Sequence, residues 1–400
     1  VSGIKKIALA YSGGLDTSVA VKWLADKYGA KVVTVTVDLG QGEDFRSIGE
    51  KALNVGAENH YTIDAKDEFA KNYVFPSIKA NGLYQGKYPI STSLGRPLIA
   101  HKLVEIAHKE GCDAVAHGCT GKGNDQLRIE ISCRALDPTL KMLAPAREWG
   151  MSRDQEIEYA KKHGIPISKS AKKYSIDQNL WGRSIESGPL ENPWTSPEED
   201  GWEWTVAPER APDKPTVIEV SFKAGVPVAI DGCPMEPADL IRKMNKVAGE
   251  NGVGRIDHME DRIVGIKSRE TYECPAAVAL IEAHKDLEKL VLNRHEMSFK
   301  SLVDEKWTFL AYAGLWDDPL REELDAFIDK ANDRLDGKVK LKLYKGSMIV
   351  TGRESPYSVY DFKTATYDSS STFDQSLSAG FVELWGLPTV VSRKVISKKG

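Results

Sequence analysis

The chain lacks any apolar run approaching the ~18–20 residues that a membrane-spanning helix needs. No membrane partner is therefore expected. The opening VSGIKKIALA turns strand-like at once, without an apolar leader and cleavage site, so no secretory signal is expected. Cysteine is scarce: Cys112, Cys119, Cys133, Cys233 and Cys274 form no CxxC and no close pair. A scattered, odd set excludes a disulfide framework and points to reduced thiols in the cytoplasm. A large excess of one charge is also missing. The 54 basic and 58 acidic residues leave a net charge of −4 with no long basic block. That argues against nucleic acid as a partner. The eight histidines show no HExxH or paired spacing, so no bound metal is expected.

What is present is the composition of a globular protein, 41% hydrophobic and 28% charged over 400 residues. That length suggests ~2–3 domains. The first part alternates strand and helix patterns: a buried strand over 5–11, a helix over 17–29 stopped by Gly29, and a β-branched strand over 31–37. A helix over 43–56, a strand over 60–63 and helices over 66–80 and 95–110 follow, the last two framing a loop YPISTSLGRP, and a strand is expected over 113–118. Strands alternating with helices in this way predict a parallel sheet covered on both faces.

The texture changes after about residue 165. Residues 186–215 hold six prolines and three tryptophans, which excludes a regular helix or central strand. The tryptophans, Trp202 and Trp204 in particular, suggest an ordered, packed loop. Antiparallel strands turning near Gly225, helices over 236–250, 275–293 and 319–335, and a hairpin over 338–355 make this half α+β. Finally, Leu377, Phe381, Leu384 and Trp385 share one face of a helix over 374–386, beyond a polar YDSSST. The fold class is therefore α/β: an N-terminal parallel-sheet nucleotide-binding domain over 1–168, a C-terminal α+β domain over 169–370 and a helical arm over 371–400. An arm with one apolar face docks either on its own subunit or on a neighbour in a symmetric oligomer.

The densest chemistry lies in ALAYSGGLDTS, where a buried strand runs into a helix. Unpaired N–H groups and the helix dipole make such a junction an anion site, and glycine lets backbone approach phosphate oxygens. A Walker A loop needs a lysine after its glycines and a dinucleotide fingerprint needs GxGxxG; both are missing here. Asp16 instead occupies the turn, which suits a magnesium ion bridging phosphates. A second cluster, AHGCTGKGNDQLRIE over 116–130, also follows a buried strand. Its mixture of Thr120, Lys122, Asn124, Asp125 and Arg128 suits a zwitterionic amino acid beside a nucleotide.

Together AYSGGLDTS, YPISTSLGRP, HGCTGKGNDQLRIE, YSIDQNLWGRS and GVGRIDHMEDRIVGIKSRETYECP resemble, in order and spacing, the signatures of the argininosuccinate synthase family. The resemblance implies an AMP-forming carbon–nitrogen ligase of arginine biosynthesis, joining citrulline and aspartate with ATP and Mg2+ through citrullyl-AMP. It implies an ATP site of Ala10, Tyr11, Ser12, Gly13, Gly14, Leu15, Asp16, Thr17, Ser18, Val37 and Gly118. It implies a citrulline site of Tyr88, Ser93, Asn124, Arg128, Ser175, Ser184, Glu260 and Tyr272, and an aspartate site of Thr120, Asn124 and Asp125. Asp125 and Arg128 are the candidates for catalytic roles. A cytoplasmic homotetramer without nucleic-acid or membrane partners is implied as well. Two alternatives stand beside this reading: a tRNA-modifying enzyme of the same superfamily, which needs a basic surface, and a non-catalytic ATP sensor, which needs no amino-acid site.

Overall fold

The computed structural model describes residues 3–167 and 173–398. The expected domain boundary at 168/169 lies outside the described residues. The first sheet is five-stranded and parallel, in the order β3–β2–β1–β4–β5. Its strands are β1 (Lys6–Ala10), β2 (Lys31–Asp38), β3 (Asn59–Asp64), β4 (Ala114–Ala116) and β5 (Lys141–Leu143). Side chains alternate between two cores, as the two-residue strand period requires. Ile7, Leu9 and Val32 pack with Val19 and Leu24 of helix α1 (Leu15–Tyr28). Ala8, Val33 and Val35 pack with Leu94 and Leu98 of the Ser91–Glu110 helix. α1 ends at Gly29 with φ +62°, the left-handed cap expected there.

Two segments depart from the sequence reading. YPISTSLGRP is not a loop: the helix begins at Ser91 and carries Pro97 inside it. Burial overrides the proline, because Ser91, Ser93, Leu94 and Leu98 are all buried and Gly95 leaves room for Leu39, whose Cδ1 would lie 3.0 Å from a Cβ there. The helix expected over 66–80 is divided into Lys66–Phe69, a widened π turn at Ala70–Val74, and Phe75–Lys79. The wide turn lies just before Pro76, whose missing N–H interrupts the helical ladder. β5 and the Arg153–Lys162 helix carried too few apolar residues to be read from pattern.

The second half contains two antiparallel sheets. One pairs β6 (Ser175–Asn179), β7 (Gly182–Glu186), β12 (Lys267–Glu273) and β11 (Arg255–Asp261). The other is ordered β10–β9–β8–β13–β14, from β8 (Thr216–Lys223), β9 (Val226–Ile230), β10 (Cys233–Pro234), β13 (Gly337–Tyr344) and β14 (Ser347–Glu354). The proline-rich loop holds only short 3-10 turns, as its composition requires. It is ordered by one buried carboxylate. Glu273 accepts hydrogen bonds from the backbone N–H groups of Glu203, Trp204 and Thr205 and pairs with Arg183 at 2.8 Å. Trp202 packs on Tyr174, Ile185 and Leu190, whereas Trp194 is 95% exposed.

The chain divides into compact units at Val1–Tyr357 and Ser358–Gly400. Within the second, the helix runs longer than expected, Leu377–Ile396, through Gly386 and Pro388. Its Leu377, Phe381, Leu384 and Trp385 are exposed, and the Phe381 and Trp385 rings stack at 5.7 Å.

Candidate functional site

The strand order of the parallel sheet reverses between β1 and β4, which creates a crevice beyond their carboxyl ends. Both motif loops open there, and a cavity of about 690 Å3 lies between them. From the first loop it is lined by Ala10, Tyr11, Ser12, Gly14, Leu15, Asp16 and Thr17, and from elsewhere by Val37 and Gly118, while Gly13 and Ser18 stand outside its lining. Gly13 turns the chain with φ +74°, and Gly14 caps α1 in extended conformation without a side-chain partner. Lys51 Nζ donates to Gly13 O at 2.6 Å and holds the turn from behind. Gly118 touches this loop so closely that a Cβ would lie 2.8 Å from Thr17 Cγ2. Ser18 is fully buried and its hydroxyl donates to Gly14 O at 2.7 Å, so it braces the loop from inside. Asp16 is ion-paired with Arg153, which also meets Glu156 at 3.3 Å. Burial, then the nearby Asp16 carboxylate, pushes the Glu156 carboxyl up to about 7. Among the described residues no group of three histidine, cysteine or carboxylate side chains converges to cage a metal.

The second loop leads into the Asp125–Leu136 helix. There, acidic and basic groups alternate. Arg128 Nη1 donates to Asp125 Oδ1 at 2.9 Å, Arg96 Nη2 meets Asp125 Oδ2 at 2.8 Å, and Arg96 also pairs with Asp177. Burial pushes the Asp125 carboxyl up, but Arg96 and Arg128 outweigh it and hold it down at about 2. Asp177 is less well compensated, and burial raises it. Arg96 and Asp177 line the same cavity of about 690 Å3, so this string of charges joins it to the rest of the site.

Beyond Arg128 lies a closed cluster built from six chain segments. Arg128 is 4% exposed, donates through Nε to Tyr312 O at 3.0 Å and lies over the Tyr312 ring. The Tyr312 and Tyr272 hydroxyls donate to the two oxygens of Glu260, each at 3.0 Å. Tyr88 stacks on Tyr272 with ring centres 4.1 Å apart, and Asn124 Nδ2 donates to Tyr312 OH at 3.0 Å. Ser184 lies opposite Tyr272 in the β7–β12 register. Burial and the neighbouring Glu270 push the Glu260 carboxyl up to about 7. Ser93 is buried, and its hydroxyl finds no hydrogen-bond partner among the described residues.

The structure thus brings Tyr88, Asn124, Arg128, Ser184, Glu260 and Tyr272 into one cluster. Ser175 is apart from it, lining the cavity beside the first loop, and Thr120 is exposed on the second loop. Sequence reasoning overlooked Arg96, Asp177, Tyr312 and Glu270. Arg96 and Asp177 stand inside YPISTSLGRP and YSIDQN; charged residues within otherwise uncharged segments were the available signal. Tyr312 stands in no motif.

Two family profiles match the chain. One, described as the arginosuccinate synthase N-terminal HUP domain, spans residues 6–166; the other, the arginosuccinate synthase C-terminal domain, spans 174–392. Among curated proteins named argininosuccinate synthase, that of Pyrococcus furiosus is 57% identical over 391 residues, which is 98% of this chain and 95% of the relative. That of Bacillus licheniformis is 54% identical over 396 residues, covering 99% of this chain and 98% of the relative. That of Pyrobaculum aerophilum is 53% identical over 391 residues, covering 98% of each.

Proposed function

The chain belongs to the argininosuccinate synthase family, and from that premise we propose how its residues divide the reaction. The enzyme joins citrulline and aspartate with ATP, giving argininosuccinate, AMP and pyrophosphate in arginine biosynthesis. A ureido group is a poor electrophile without a leaving group. Adenylylation of its oxygen forms the O–P bond, releases pyrophosphate and makes AMP the leaving group. The aspartate amine then attacks the ureido carbon and AMP departs. Such a sequence calls chiefly for positioning and charge stabilisation.

The phosphates are assigned to the Ala10–Ser18 loop, with Val37 and Gly118 against the nucleoside. Magnesium enters as the complex of ATP, with Asp16 as the carboxylate beside it, exchanging its ion pair with Arg153 for the metal. Citrulline is assigned to Tyr88, Ser93, Asn124, Arg128, Ser175, Ser184, Glu260 and Tyr272. Its carboxylate takes Arg128, its ammonium takes Glu260, and the orphaned Ser93 hydroxyl gains a partner. Aspartate is assigned to Thr120, Asn124 and Asp125, with Asp125 holding the incoming ammonium. The domain division at 168 and 370 and a cytoplasmic homotetramer belong to the same reading. The five free cysteines suit a reducing compartment, and no described helix is long and apolar enough to cross a membrane.

The observation that carries the assignment is the charge string Arg96–Asp125–Arg128, set between a phosphate-loop cavity and a buried carboxylate cluster. A pure ATP sensor has no use for it. The test follows labelled pyrophosphate. Exchange into ATP should require citrulline alone, net release should require aspartate as well, and tRNA should change neither. Exchange without citrulline would overturn the assignment. Deleting residues 372–400 should move sedimentation toward smaller species; a wild-type monomer would contradict the tetramer.

A further inference from the structure

A second cavity, of about 570 Å3, lies behind the citrulline cluster and shares none of its assigned residues. The Pro275–Val291 and Arg294–Tyr312 helices supply much of its wall, and residues 81–86 supply another part. Its lining combines apolar surface with a buried cluster of charges. Lys300 is 2% exposed and contacts Glu288 Oε1 and Asp304 Oδ1, each at 2.8 Å, while Asn81 Nδ2 donates to Glu288 Oε2 at 2.8 Å. Glu288 is equally buried, with one oxygen held by Lys300 and the other by Asn81. Nearer the rim, Lys285 and Glu305 line the cavity from the two helices, and neither has an ion-pair or hydrogen-bond partner among the described residues. Leu83, Met297 and Phe309 add apolar surface between these charges.

The groups form a pattern: one cation and one carboxylate free at the rim and, inside, two carboxylates, Glu288 and Asp304, facing the single ammonium of Lys300. We propose that this cavity is an effector site for a small zwitterion bearing a second cationic group, the chemistry of a basic amino acid. The ligand carboxylate meets Lys285, its ammonium meets Glu305, its aliphatic stem covers the apolar patch, and its distal cation is drawn to the inner cluster, where two carboxylates share one ammonium.

The wall shared with the active site gives the ligand something to act on. Tyr84 lines the cavity and stacks on Tyr312 with ring centres 3.5 Å apart; Tyr312 is the residue that holds Glu260 and Arg128. Tyr84 OH also donates to Asp261 O at 2.8 Å, and Gln85 Nε2 donates to Asp261 Oδ2 at 2.7 Å, one residue beyond Glu260. Asn81 and Gln85 carry φ of +47° and +50°, left-handed backbone that Asn adopts readily and Gln does not, so the strain in this segment lies at Gln85. A ligand that moves the segment therefore moves the Tyr312 ring, and linkage makes the effect reciprocal.

The test is calorimetry of the full chain with L-lysine as probe, under saturating citrulline so that the citrulline subsite is filled. L-Leucine, which lacks the distal cation, is the control. L-Lysine should bind once per chain and L-leucine should not. Lys285→Glu and Glu305→Lys should each weaken L-lysine binding ~10-fold or more while turnover without L-lysine stays within ~2-fold of wild type. Bound L-lysine should shift the citrulline KM, and citrulline should shift L-lysine affinity by the same factor. Absence of heat, equal binding of L-leucine, or binding unchanged in both variants would overturn the site. Binding without any shift in citrulline KM would overturn its effector role.

Discussion

The two halves of the catalytic crevice are made of different material. The loop proposed for the phosphates is backbone: its glycines and the helix they cap are contiguous residues, Lys51 braces the turn from 38 residues away, and an open cavity lies beside them. The cluster proposed for citrulline is side chain: Tyr88, Arg128, Glu260, Tyr272 and Tyr312 satisfy one another in a closed interior. A backbone site tolerates change in side-chain charge and fails when a Cβ intrudes. A side-chain site tolerates a Cβ and fails when one charge is left unpaired.

The strongest challenge to this contrast is Arg128→Leu. It strands Asp125 on one partner and frees the Tyr312 carbonyl, and breaking such a buried pair costs ~3–5 kcal/mol. Citrulline-dependent pyrophosphate exchange should fall by ~100-fold or more, with ATP binding retained in calorimetry. Asp125→Asn keeps the shape while removing the charge; it should keep at least ~10% of exchange yet form argininosuccinate ~10–100-fold more slowly. Because Asp125 and Arg128 bond each other directly, Asp125→Ala is expected to damage both half-reactions, a coupling that three-residue spacing alone did not reveal.

The next test separates adjacent glycines. Gly14 has φ −67°, and a Cβ there meets only Ser12 Oγ at 3.3 Å, so Gly14→Val should fold and lose ATP affinity ~10-fold. Gly13 has φ +74° and faces Ile48 at 3.1 Å, so Gly13→Val should lose ATP binding and also ~1–3 kcal/mol of stability in urea unfolding. Equal stability of the two variants would contradict the backbone account.

The third test is pH. Burial, then Glu270, raises the Glu260 carboxyl to about 7, so the folded state binds its proton more tightly than the unfolded state. Its contribution is therefore stabilising at low pH and is lost as pH rises from the ordinary carboxylate range through about 7. Citrulline binding runs the other way, because the ammonium wants the anion. The citrulline KM should rise as pH falls through about 7, and Glu260→Gln should flatten both profiles.

The smallest effect contrasts two tryptophans of one loop. Trp202→Ala removes packing against Tyr174, Ile185 and Leu190 and the Arg255 contact, and should cost ~1–3 kcal/mol. Trp194→Ala, at 95% exposure, should change stability by less than ~0.5 kcal/mol in the same measurement.

Legibility in sequence followed the same division. The junctions after β1 and β4 were readable because strand, glycines and helix are contiguous, and contiguity is what local sequence encodes. Strand alternation gave the parallel sheet, since burial on both faces leaves β-branched runs such as KVVTVTV. Ser91–Glu110 was misread at its start because Pro97 carries a local signal that only tertiary burial overrides. Arg96, Asp177 and Tyr312 were missed for a related reason. Their partners lie on other segments, Tyr312 being 184 residues from the Arg128 whose Nε it accepts, and nothing near Tyr312 in the chain reports that contact.

The place of β1 has a consequence for how the chain is made. β1 is the earliest strand of its sheet in chain order and also its middle strand. β2 and β3 arrive soon after, but β4, its other neighbour, follows about a hundred residues later. At ~5–20 residues per second, a nascent half-sheet waits ~5–20 s on the ribosome with the Ile7–Leu9 edge unpaired. The strand that opens onto the phosphate loop is thus also the one most in need of shielding during translation, and the loop it leads into is completed only when Gly118 has emerged to lie against Thr17.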